Sequence, residues 1–432
     1  MGGVARTLLF IAVAAVALQT IMGAQSTPAT GRGEVRIQLG NLLVDDQRYW
    51  EAIRVFDEAR EYATGEQRVR VASGMLKALL PVAEFTRAQI EAQVLSELAP
   101  EQPEALALIA DALWAGGLFD EAEAVYRDVL TLDPESGDGR HGLAKSLATR
   151  QQFDEALDWL EAAFEASPEV PAFHHTLGHI YQRMHRFSEA ADAYQRYVDL
   201  LPPLAQNQKA DWTRSQVQFL RSFGARPAVQ LSNPGQLHTI PFRLVRDKVM
   251  VRGRINGQDP IDFVVDTGAE QTVLSQPVAQ QFGVRPITTT LSAGVGEMGL
   301  RGLQSGRLET LEFGSLRISN LPVLIKSPPL GGLPTPEAEG FSPLAVGLSM
   351  IVDYERRELV IGENLPEEPF DFSLPLRQHR LTVVRGMIDG GIPRSFVVDT
   401  GGEVISISLG TARLLPPLTV RRVPVNVYGT SG

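Results

Sequence analysis

The chain contains no cysteine among its 432 residues. Disulfide bonds, thiol nucleophiles, iron–sulfur clusters and Cys-ligated zinc are therefore excluded together. The sequence also lacks an excess of basic residues, because 40 Lys and Arg stand against 51 Asp and Glu, for a formal net charge of −11. This balance argues against nucleic acid or an anionic membrane surface as a partner.

The rest of the composition is that of a folded protein. Hydrophobic residues make up 44% of the chain and charged residues 21%, which is enough apolar surface to bury a full core. A chain of this length is expected to hold two or three domains rather than one.

The first 24 residues have the pattern of a targeting segment. Arg6 precedes the apolar run TLLFIAVAAVAL, and Ala24 offers a small residue for cleavage. This pattern predicts a signal peptide. An uncleaved membrane anchor is the alternative, because weakly polar residues extend the apolar stretch. Either reading places the remaining chain outside the cytoplasm, as a periplasmic, secreted or membrane-anchored protein.

A 34-residue period runs through residues 34–223. Three residue types recur in step at this spacing: Phe85, Phe119, Phe153 and Phe187; Ala88, Ala122, Ala156 and Ala190; Pro100, Pro134, Pro168 and Pro202. The sequence between them is helical in pattern, and each Pro follows a helix that it can stop. Each unit is therefore predicted to consist of two short helices.

This repeat resembles the tetratricopeptide repeat. The match is best in the unit that contains Leu177, Gly178, Tyr181, Ala190, Tyr194 and Pro202. The resemblance implies an all-α solenoid over 34–223, with a degenerate early unit around 48–59 and a capping helix at 211–223. The small Gly178 and Ala190 are expected to let paired helices approach closely.

Solenoids of this family have a concave face that usually binds peptides or protein segments, so a protein partner is expected on the repeat groove. The family register places a mixed polar set there: Asp111, Trp114, His141, Lys145, His175, His179 and Gln182. His175 and His179 have the i, i+4 spacing of metal ligands, but they lack the Glu of an H-E-x-x-H motif and a third ligand. We interpret both as polar groove residues, and the sequence predicts neither a metal nor a cofactor.

After a linker at 224–238 that contains Pro and Gly, the periodicity changes from helical to alternating. Residues 248–268 predict two strands joined at Asn256-Gly257, a strong hairpin-turn signal. More strand pattern follows, including a hairpin-like segment at 351–361. The sequence therefore predicts an all-β region, with a first lobe at 239–364 and a partial second lobe at 372–432.

The hexapeptide FVVDTG occurs twice, at 263–268 and at 396–401. A shift of 133 residues superimposes the two copies and also aligns residues 251–253 with 384–386 without a gap. The second hexapeptide is thus carried by a second copy of the same hairpin. The β-domain is predicted to be duplicated.

The two Asp residues in these peptides, Asp266 and Asp399, suit hydrolysis by a pair of carboxyl groups. One can activate water as a general base while the other protonates or polarises the scissile carbonyl. When two carboxyl groups lie within hydrogen-bond distance, repulsion between their charges separates their apparent pKa values and raises the higher one. The pair therefore keeps a proton at a pH where an isolated Asp would have lost it. The apolar strand before each Asp delivers it to the interior, and the following Gly permits close backbone approach.

Residues 264–275, VVDTGAEQTVLS, resemble the active-site segment of retropepsin-like aspartic proteases. The resemblance implies small β-barrel lobes that each donate one Asp, with the active site at a two-fold interface between them. The residues to which it assigns roles are Asp266 and Asp399 as the catalytic pair, Thr267 and Thr400 as hydroxyls that brace the two loops, and Gly268 and Gly401 as supporting loop residues.

A glycine-rich stretch at 292–302 satisfies G-x-G-x-x-G. A dinucleotide site would need a buried strand before it and a helix after it, and the sequence predicts neither. Its position after Asp266 instead fits the flap hairpin that covers the substrate in retropepsin-like proteases. Gly294 and Gly296 are the predicted flap residues.

The favoured interpretation is an exported aspartic endopeptidase that cleaves a polypeptide held under the flap, with the helical repeats recruiting a protein substrate or partner. A non-catalytic extracytoplasmic scaffold with a degenerate protease-like domain is the second interpretation. A third is a dimer in which the first copies from two chains pair.

The sequence given ends at Gly432, inside what would be the second flap. Because strands that close the second barrel would then lack partners, we expect the natural reading frame to continue beyond this residue.

Overall fold

The structure is a computed structural model. It describes residues 29–201, 208–292, 301–326, 338–367, 369–388, 391, 393–402, 405, 407 and 409–412. The predicted signal peptide and the predicted flap residues Gly294 and Gly296 lie outside the described residues. The chain divides into two compact units, with the boundary between Glu101 and Gln102.

The described part of the first unit consists of helices. They are α1 Ala29–Asp45, α2 Tyr49–Arg60, α3 Glu66–Leu79 and α4 Phe85–Leu98. The ring of Phe56 is fully buried among them, and a Cβ added at Gly40 would lie 2.6 Å from that ring. The absence of a side chain at Gly40 therefore makes room for the largest core residue of this unit.

The second unit begins with further helices: α5 Pro103–Ala115, α6 Phe119–Leu132, α7 Gly137–Thr149, α8 Phe153–Ala166, α9 Pro171–Arg183, α10 Phe187–Leu200 and α11 Gln208–Arg221. Helices α6, α8 and α10 each start at a Phe of the 34-residue period. Pro103 and Pro171 occupy the first turn of α5 and α9, where a missing N–H costs no hydrogen bond. The predicted helical solenoid is confirmed, and α11 overlaps the segment 211–223 that the sequence predicts as helical.

Small residues set the distance between helices of one repeat. A Cβ added at Gly178 in α9 would lie 2.7 Å from the Tyr194 ring in α10, and Ala190 is fully buried beside it. Only a very small residue leaves space for this ring, as the sequence predicts. Burial of such a ring stabilises the pair by about 1.5–3 kcal/mol.

The first lobe of the β-domain contains short and long strands. They are β1 Gln230–Leu231, β2 His238–Pro241, β3 Arg243–Val245, β4 Lys248–Ile255, β5 Ile261–Val265, β6 Thr272–Ser275, β7 Pro286–Ser292, β8 Arg301–Phe313, β9 Leu316–Lys326, β10 Glu339–Phe341, β11 Ser349–Asp353 and β12 Glu358–Gly362. Helix α12 (Gln276–Gln281) and a 3-10 helix (Leu344–Val346) lie between strands. In the segment predicted as a linker, β1 pairs with β9, so that segment contributes a strand to the sheet.

Six of these strands close into a barrel. Their hydrogen-bonded order is β9, β6, β10, β5, β4, β8, and β8 pairs again with β9. The rings of Phe263, Phe313 and Phe341 are fully buried in its core. The centre of the Phe313 ring lies 5.3 Å from that of Phe263, edge to face, and 4.5 Å from that of Phe341. The predicted all-β barrel is therefore confirmed.

The turn between β4 and β5 is formed by Asn256 and Gly257. Their φ angles are 51° and 71°, and the Gln258 N–H donates to the Ile255 carbonyl oxygen at 3.0 Å. These positive φ angles belong to the two-residue hairpin turn that Asn-Gly favours. The turn thus lies where the sequence predicts it.

The described part of the second lobe is smaller. Strands β13 Arg377–Gln378, β14 Thr382–Gly386 and β15 Arg394–Val397 form one sheet, and helix α13 spans Leu409–Ala412. In the described part of the chain, no helix has the length and hydropathy needed to cross a membrane.

Candidate active site

Asp266 is delivered by a strand that is hydrogen-bonded on both sides. Phe263, Val264 and Val265 in β5 are buried between β4 and β10, which is why this stretch is apolar. Immediately afterwards, the Asp266 N–H donates to the Phe341 carbonyl oxygen at 2.8 Å. The backbone of the first Asp-Thr-Gly loop is therefore fixed where the strand ends.

Strand β10 lies between β5 and β6 in the sheet. It runs parallel to β5 and antiparallel to β6, and the buried Ser342 hydroxyl donates to the Ala269 carbonyl oxygen at 2.7 Å. The residues that follow form the 3-10 helix and β11, and Glu339–Phe341 is the strand that supports the loop.

The second loop follows a hairpin with the same register as the first. Val383, Val384, Arg385 and Gly386 of β14 pair with Val397, Phe396, Ser395 and Arg394 of β15. Subtracting the 133-residue offset gives the four pairs observed between β4 and β5. Because the strand pairing is the same, Asp399 leaves its hairpin at the position equivalent to Asp266.

The two threonines bond reciprocally across the loops. The Thr267 hydroxyl donates to the Val398 carbonyl oxygen and the Thr400 hydroxyl to the Val265 carbonyl oxygen, both at 2.6 Å. In return, each hydroxyl oxygen accepts the other threonine's backbone N–H, at 3.1 and 3.2 Å. The structure thus brings Thr267 and Thr400 into the bracing arrangement that the resemblance implies.

The glycines allow the two carboxyl groups to approach. A Cβ at Gly268 would lie 2.5 Å from Cγ of Asp399, and a Cβ at Gly401 would lie 2.6 Å from Cγ of Asp266. Any side chain at either position would therefore collide with the opposite Asp. The loops also orient their own Asp, because the Gly268 N–H donates to Asp266 Oδ1 at 2.9 Å and the Gly401 N–H to Asp399 Oδ1 at 2.8 Å.

The environment of the two Asp residues differs. Asp266 is half-buried and Asp399 is exposed. Burial, followed by the negative charge of Asp399, raises the pKa of Asp266 to about 6. In mildly acidic solution Asp266 therefore holds a proton beside a second carboxyl group, which is the protonation state that shared acid–base work requires.

The predicted flap residues Gly294 and Gly296 lie outside the described residues. The strands on either side, β7 and β8, pair antiparallel as far as Ser292 and Arg301.

Most predicted groove residues contact other residues of the repeats. Lys145 forms an ion pair with Asp111 at 2.6 Å and lies 5.0 Å from the Trp114 ring centre, while His141 Nε2 hydrogen-bonds with the Thr176 hydroxyl at 2.8 Å. Gln182 Oε1 accepts from the Tyr194 hydroxyl at 3.2 Å.

The two groove histidines each contact other aromatic rings. His175 packs against the rings of Tyr194 and Tyr197, and His179 lies 4.9 Å from the ring of His379. Within the described ranges, no group of three or more His, Asp or Glu residues is placed to hold a metal ion.

One buried acid near the site was not found from the sequence. Glu339 in β10 accepts the Ser275 N–H and the Ser275 hydroxyl, both at 2.6 Å, and burial raises its pKa to about 7. The only sequence signal is a single Glu in a three-residue strand, which is too short to show a periodicity.

Comparison with known proteins gives two family matches. Residues 251–337 match the aspartyl protease family, and residues 83–137 and 107–171 match the tetratricopeptide repeat. No curated protein matches the chain.

Several solved structures resemble the helical region. A thermophilic TPR protein of Thermus thermophilus is 18% identical with a TM-score of 0.37, over 43% of this chain and 98% of that one. The Pseudomonas aeruginosa pilF protein is 13% identical with a TM-score of 0.33, over 45% and 87%. MamA from Desulfovibrio magneticus is 18% identical with a TM-score of 0.29, over 39% and 94%.

The family matches and the fold agree on the organisation of the chain. It contains tetratricopeptide repeats, and an aspartyl protease-like domain follows them.

Proposed function

We propose that the protein is an aspartic-type endopeptidase that hydrolyses peptide bonds through Asp266 and Asp399. The observation that carries this proposal is the reciprocity of the two loops. Each threonine hydroxyl bonds to the opposite loop, and each glycine lies against the opposite carboxyl group. An Asp-Thr-Gly turn with only a structural role has no need of a second copy in this arrangement.

The proposed reaction needs one proton on the pair. The deprotonated Asp takes a proton from water as the water oxygen bonds to the scissile carbonyl carbon, and the protonated Asp donates to the carbonyl oxygen. One Asp then protonates the amine nitrogen as the C–N bond breaks, and the other takes a hydroxyl proton from the tetrahedral intermediate. This releases a new carboxyl and a new amino terminus and leaves one proton on the pair. The pKa of about 6 for Asp266 supports this state in mildly acidic solution.

We also propose that the protein is exported, with residues 1–24 as its signal peptide or membrane anchor, and that the helical repeats recruit a protein substrate or partner. The match to tetratricopeptide repeats supports recruitment, because stacked repeats present extended binding surfaces. N-terminal sequencing of the protein from its own cells tests export. A start near Gln25, or an intact terminus in the membrane fraction, is expected, whereas an intact terminus in the soluble cytoplasmic fraction contradicts it.

The activity is tested by incubating the purified protein with a mixture of unstructured peptides at pH 5 and identifying products by mass spectrometry. Asp266→Asn and Asp399→Asn should each abolish cleavage. Asp259→Asn is the matched control, since Asp259 is an exposed carboxylate in the turn of the first hairpin, and it should retain full activity. If the unmodified protein and all three variants are folded but cleave none of the peptides, the non-catalytic scaffold interpretation replaces this proposal. If only Asp266→Asn is inactive, pairing between two chains replaces the pairing within one chain.

A further inference from the structure

The sheet β13–β15, which ends just before Asp399, is joined to the repeats by ion pairs and a hydrogen bond. Arg377 Nη2 donates to Asp120 Oδ1 at 2.6 Å, and Arg385 forms an ion pair with Glu121. The Ser395 hydroxyl donates to the Gly117 carbonyl oxygen at 2.5 Å. The acceptors all lie in the turn between α5 and α6 or in the first turn of α6, so one corner of a repeat holds both strands of the hairpin.

The residues before β14 enter the repeat groove. The His379 ring lies 4.4 Å from the Trp114 ring and 4.9 Å from the His179 ring. The Arg183 guanidinium donates to both the backbone and the side-chain oxygen of Gln378, at 2.8 and 2.9 Å. Two of the residues predicted to bind a foreign protein therefore contact this chain's own second lobe.

The hairpin needs such support. Among the described residues, the sheet β13–β15 shares no strand pairing with the barrel, and a small isolated sheet is marginally stable in water. Its polar contacts with the first lobe include the threonine bonds and an ion pair between Arg380 and Glu270 at 2.7 Å. These contacts lie at the two ends of the hairpin, just before β14 and just after β15, whereas the repeat corner contacts the strands between those ends.

The ion pairs at the repeat corner are partly shielded from water. The side chain of Arg377 is 16% exposed and that of Arg385 is 27% exposed, so these pairs are screened less than typical surface pairs.

We infer that the repeats position Asp399: the corner formed by Gly117, Asp120 and Glu121, with the groove residues Trp114 and His179, docks the second hairpin and fixes its carboxyl group opposite Asp266. This inference rests on the proposed function for its catalytic consequence, but the docking itself is independent of activity. A protein recruited by the repeats would then bind at groove residues other than Trp114 and His179, because His379 already contacts these two.

Docking is tested with an engineered disulfide. A Cβ added at Gly117 would lie 3.6 Å from Cβ of Ser395, which is within the separation that a disulfide spans. Because the chain has no cysteine, Gly117→Cys/Ser395→Cys gives a single possible pair with no background. Oxidation should form an intramolecular bond in nearly all molecules, detected as a gel-mobility shift and a loss of two hydrogens by mass spectrometry. Gly117 has a φ angle of 76°, so a side chain there is strained, and Gly117→Cys alone, checked by circular dichroism, is the control for folding. Free thiols after oxidation of a folded double variant would overturn the inference, whatever the activity of the protein.

The catalytic consequence is tested by charge reversal. Asp120→Arg/Glu121→Arg should lower kcat/KM by about 10²-fold, the effect expected when a reacting group is misplaced by about 1 Å. Its matched control is Asp154→Arg/Glu155→Arg, the same positions one repeat later. Both pairs lie in the first turn of a helix, so both reversals lose the same favourable interaction with the helix dipole. Asp120 and Glu121 form ion pairs with the second lobe, whereas Asp154 and Glu155 are exposed.

Two further readouts separate positioning from loss of folding. Adding the oxidised crosslink between positions 117 and 395 to the charge-reversal variant should restore most of its activity, and reduction should remove that gain.

The second readout is the pH–rate profile. The charge of Asp399 helps to raise the pKa of Asp266. If charge reversal moves the Asp399 carboxyl group away from Asp266, the alkaline limb of the profile should therefore move to lower pH. Equal activity in both reversal variants would overturn the positioning role. A disulfide that forms in a protein without any peptidase activity would instead overturn the proposed function and leave the docking in place.

Discussion

Thr267 and Thr400 show how a single hydroxyl can satisfy two backbone groups at once. Each donates to a carbonyl oxygen and accepts an N–H from the opposite loop, and Thr267 is 3% exposed. Removing a hydroxyl leaves both backbone groups without that partner in a place where water enters poorly. Such a loss costs about 1–3 kcal/mol for each buried group.

Thr267→Val should therefore lower the free energy of unfolding by about 2–6 kcal/mol, which is about 1–3 kcal/mol for each of the two backbone groups. It should also reduce kcat/KM, because the loops lose their mutual alignment. Thr267→Ser keeps the hydroxyl and serves as the control, with nearly unchanged values for both quantities. Denaturant titration and peptide cleavage at pH 5 provide the measurements. A Val variant with the stability and the rate of the Ser variant would show that the bonds do not hold the loops together.

At the scale of one strand, β10 combines two tasks. It completes the barrel between β5 and β6, and it places the buried Glu339 carboxyl group on Ser275. Burial raises the pKa of Glu339 from 4.5 to about 7. The folded state thus binds a proton more tightly than the unfolded chain does.

For an acid with a raised pKa, stability is greatest below the unfolded pKa and falls as pH rises towards the folded pKa. As pH rises from about 4.5 to about 7, ionisation of Glu339 in the unfolded chain should therefore lower the free energy of unfolding. The expected decrease is about 3 kcal/mol, at about 1.36 kcal/mol per pKa unit. Glu339→Gln keeps an acceptor for the Ser275 N–H and supplies an amide donor for the Ser275 hydroxyl. Because Gln does not ionise, this variant should lack the decrease in stability with rising pH.

The measurement is the free energy of unfolding at pH 4.5 and pH 8 for the unmodified protein, Glu339→Gln and the control Glu309→Gln. Glu309 is an exposed Glu on β8, so its replacement should leave the pH dependence unchanged. The idea fails if Glu339→Gln loses as much stability between the two pH values as the unmodified protein does.

Local features of these elements could be predicted from the sequence. The Asn256-Gly257 turn follows from backbone preference, and the buried strand before Asp266 follows from its apolar run. The place of β10 could not be predicted, because it depends on pairing with two strands far away in the chain. The reciprocal threonine bonds could be anticipated only through the resemblance, since the carbonyl groups of Val265 and Val398 carry no sequence signal.

At the scale of the whole chain, the sequence indicates helical repeats and a β-domain with two copies of one hairpin. Each prediction rests on a repeat, whose period or offset can be read directly. The contacts between the two parts, such as Arg377 with Asp120, join residues 257 positions apart. Neither charge is distinguished in the sequence from its many exposed neighbours. The role of the groove as a dock for the second hairpin therefore emerges only from the fold.

The central claim is that Asp266 and Asp399 act as one unit, and a double-mutant cycle in kcat/KM at pH 5 tests it most directly. Asp266→Asn and Asp399→Asn should each lower kcat/KM by about 10³-fold or more, and the double variant should be hardly worse than either, because groups that act together are strongly non-additive. Activity of the unmodified protein should fall as pH rises through about 6, when Asp266 loses its proton. Two effects that multiply in the double variant, or an Asp399→Asn variant with unchanged kcat/KM, would contradict the account.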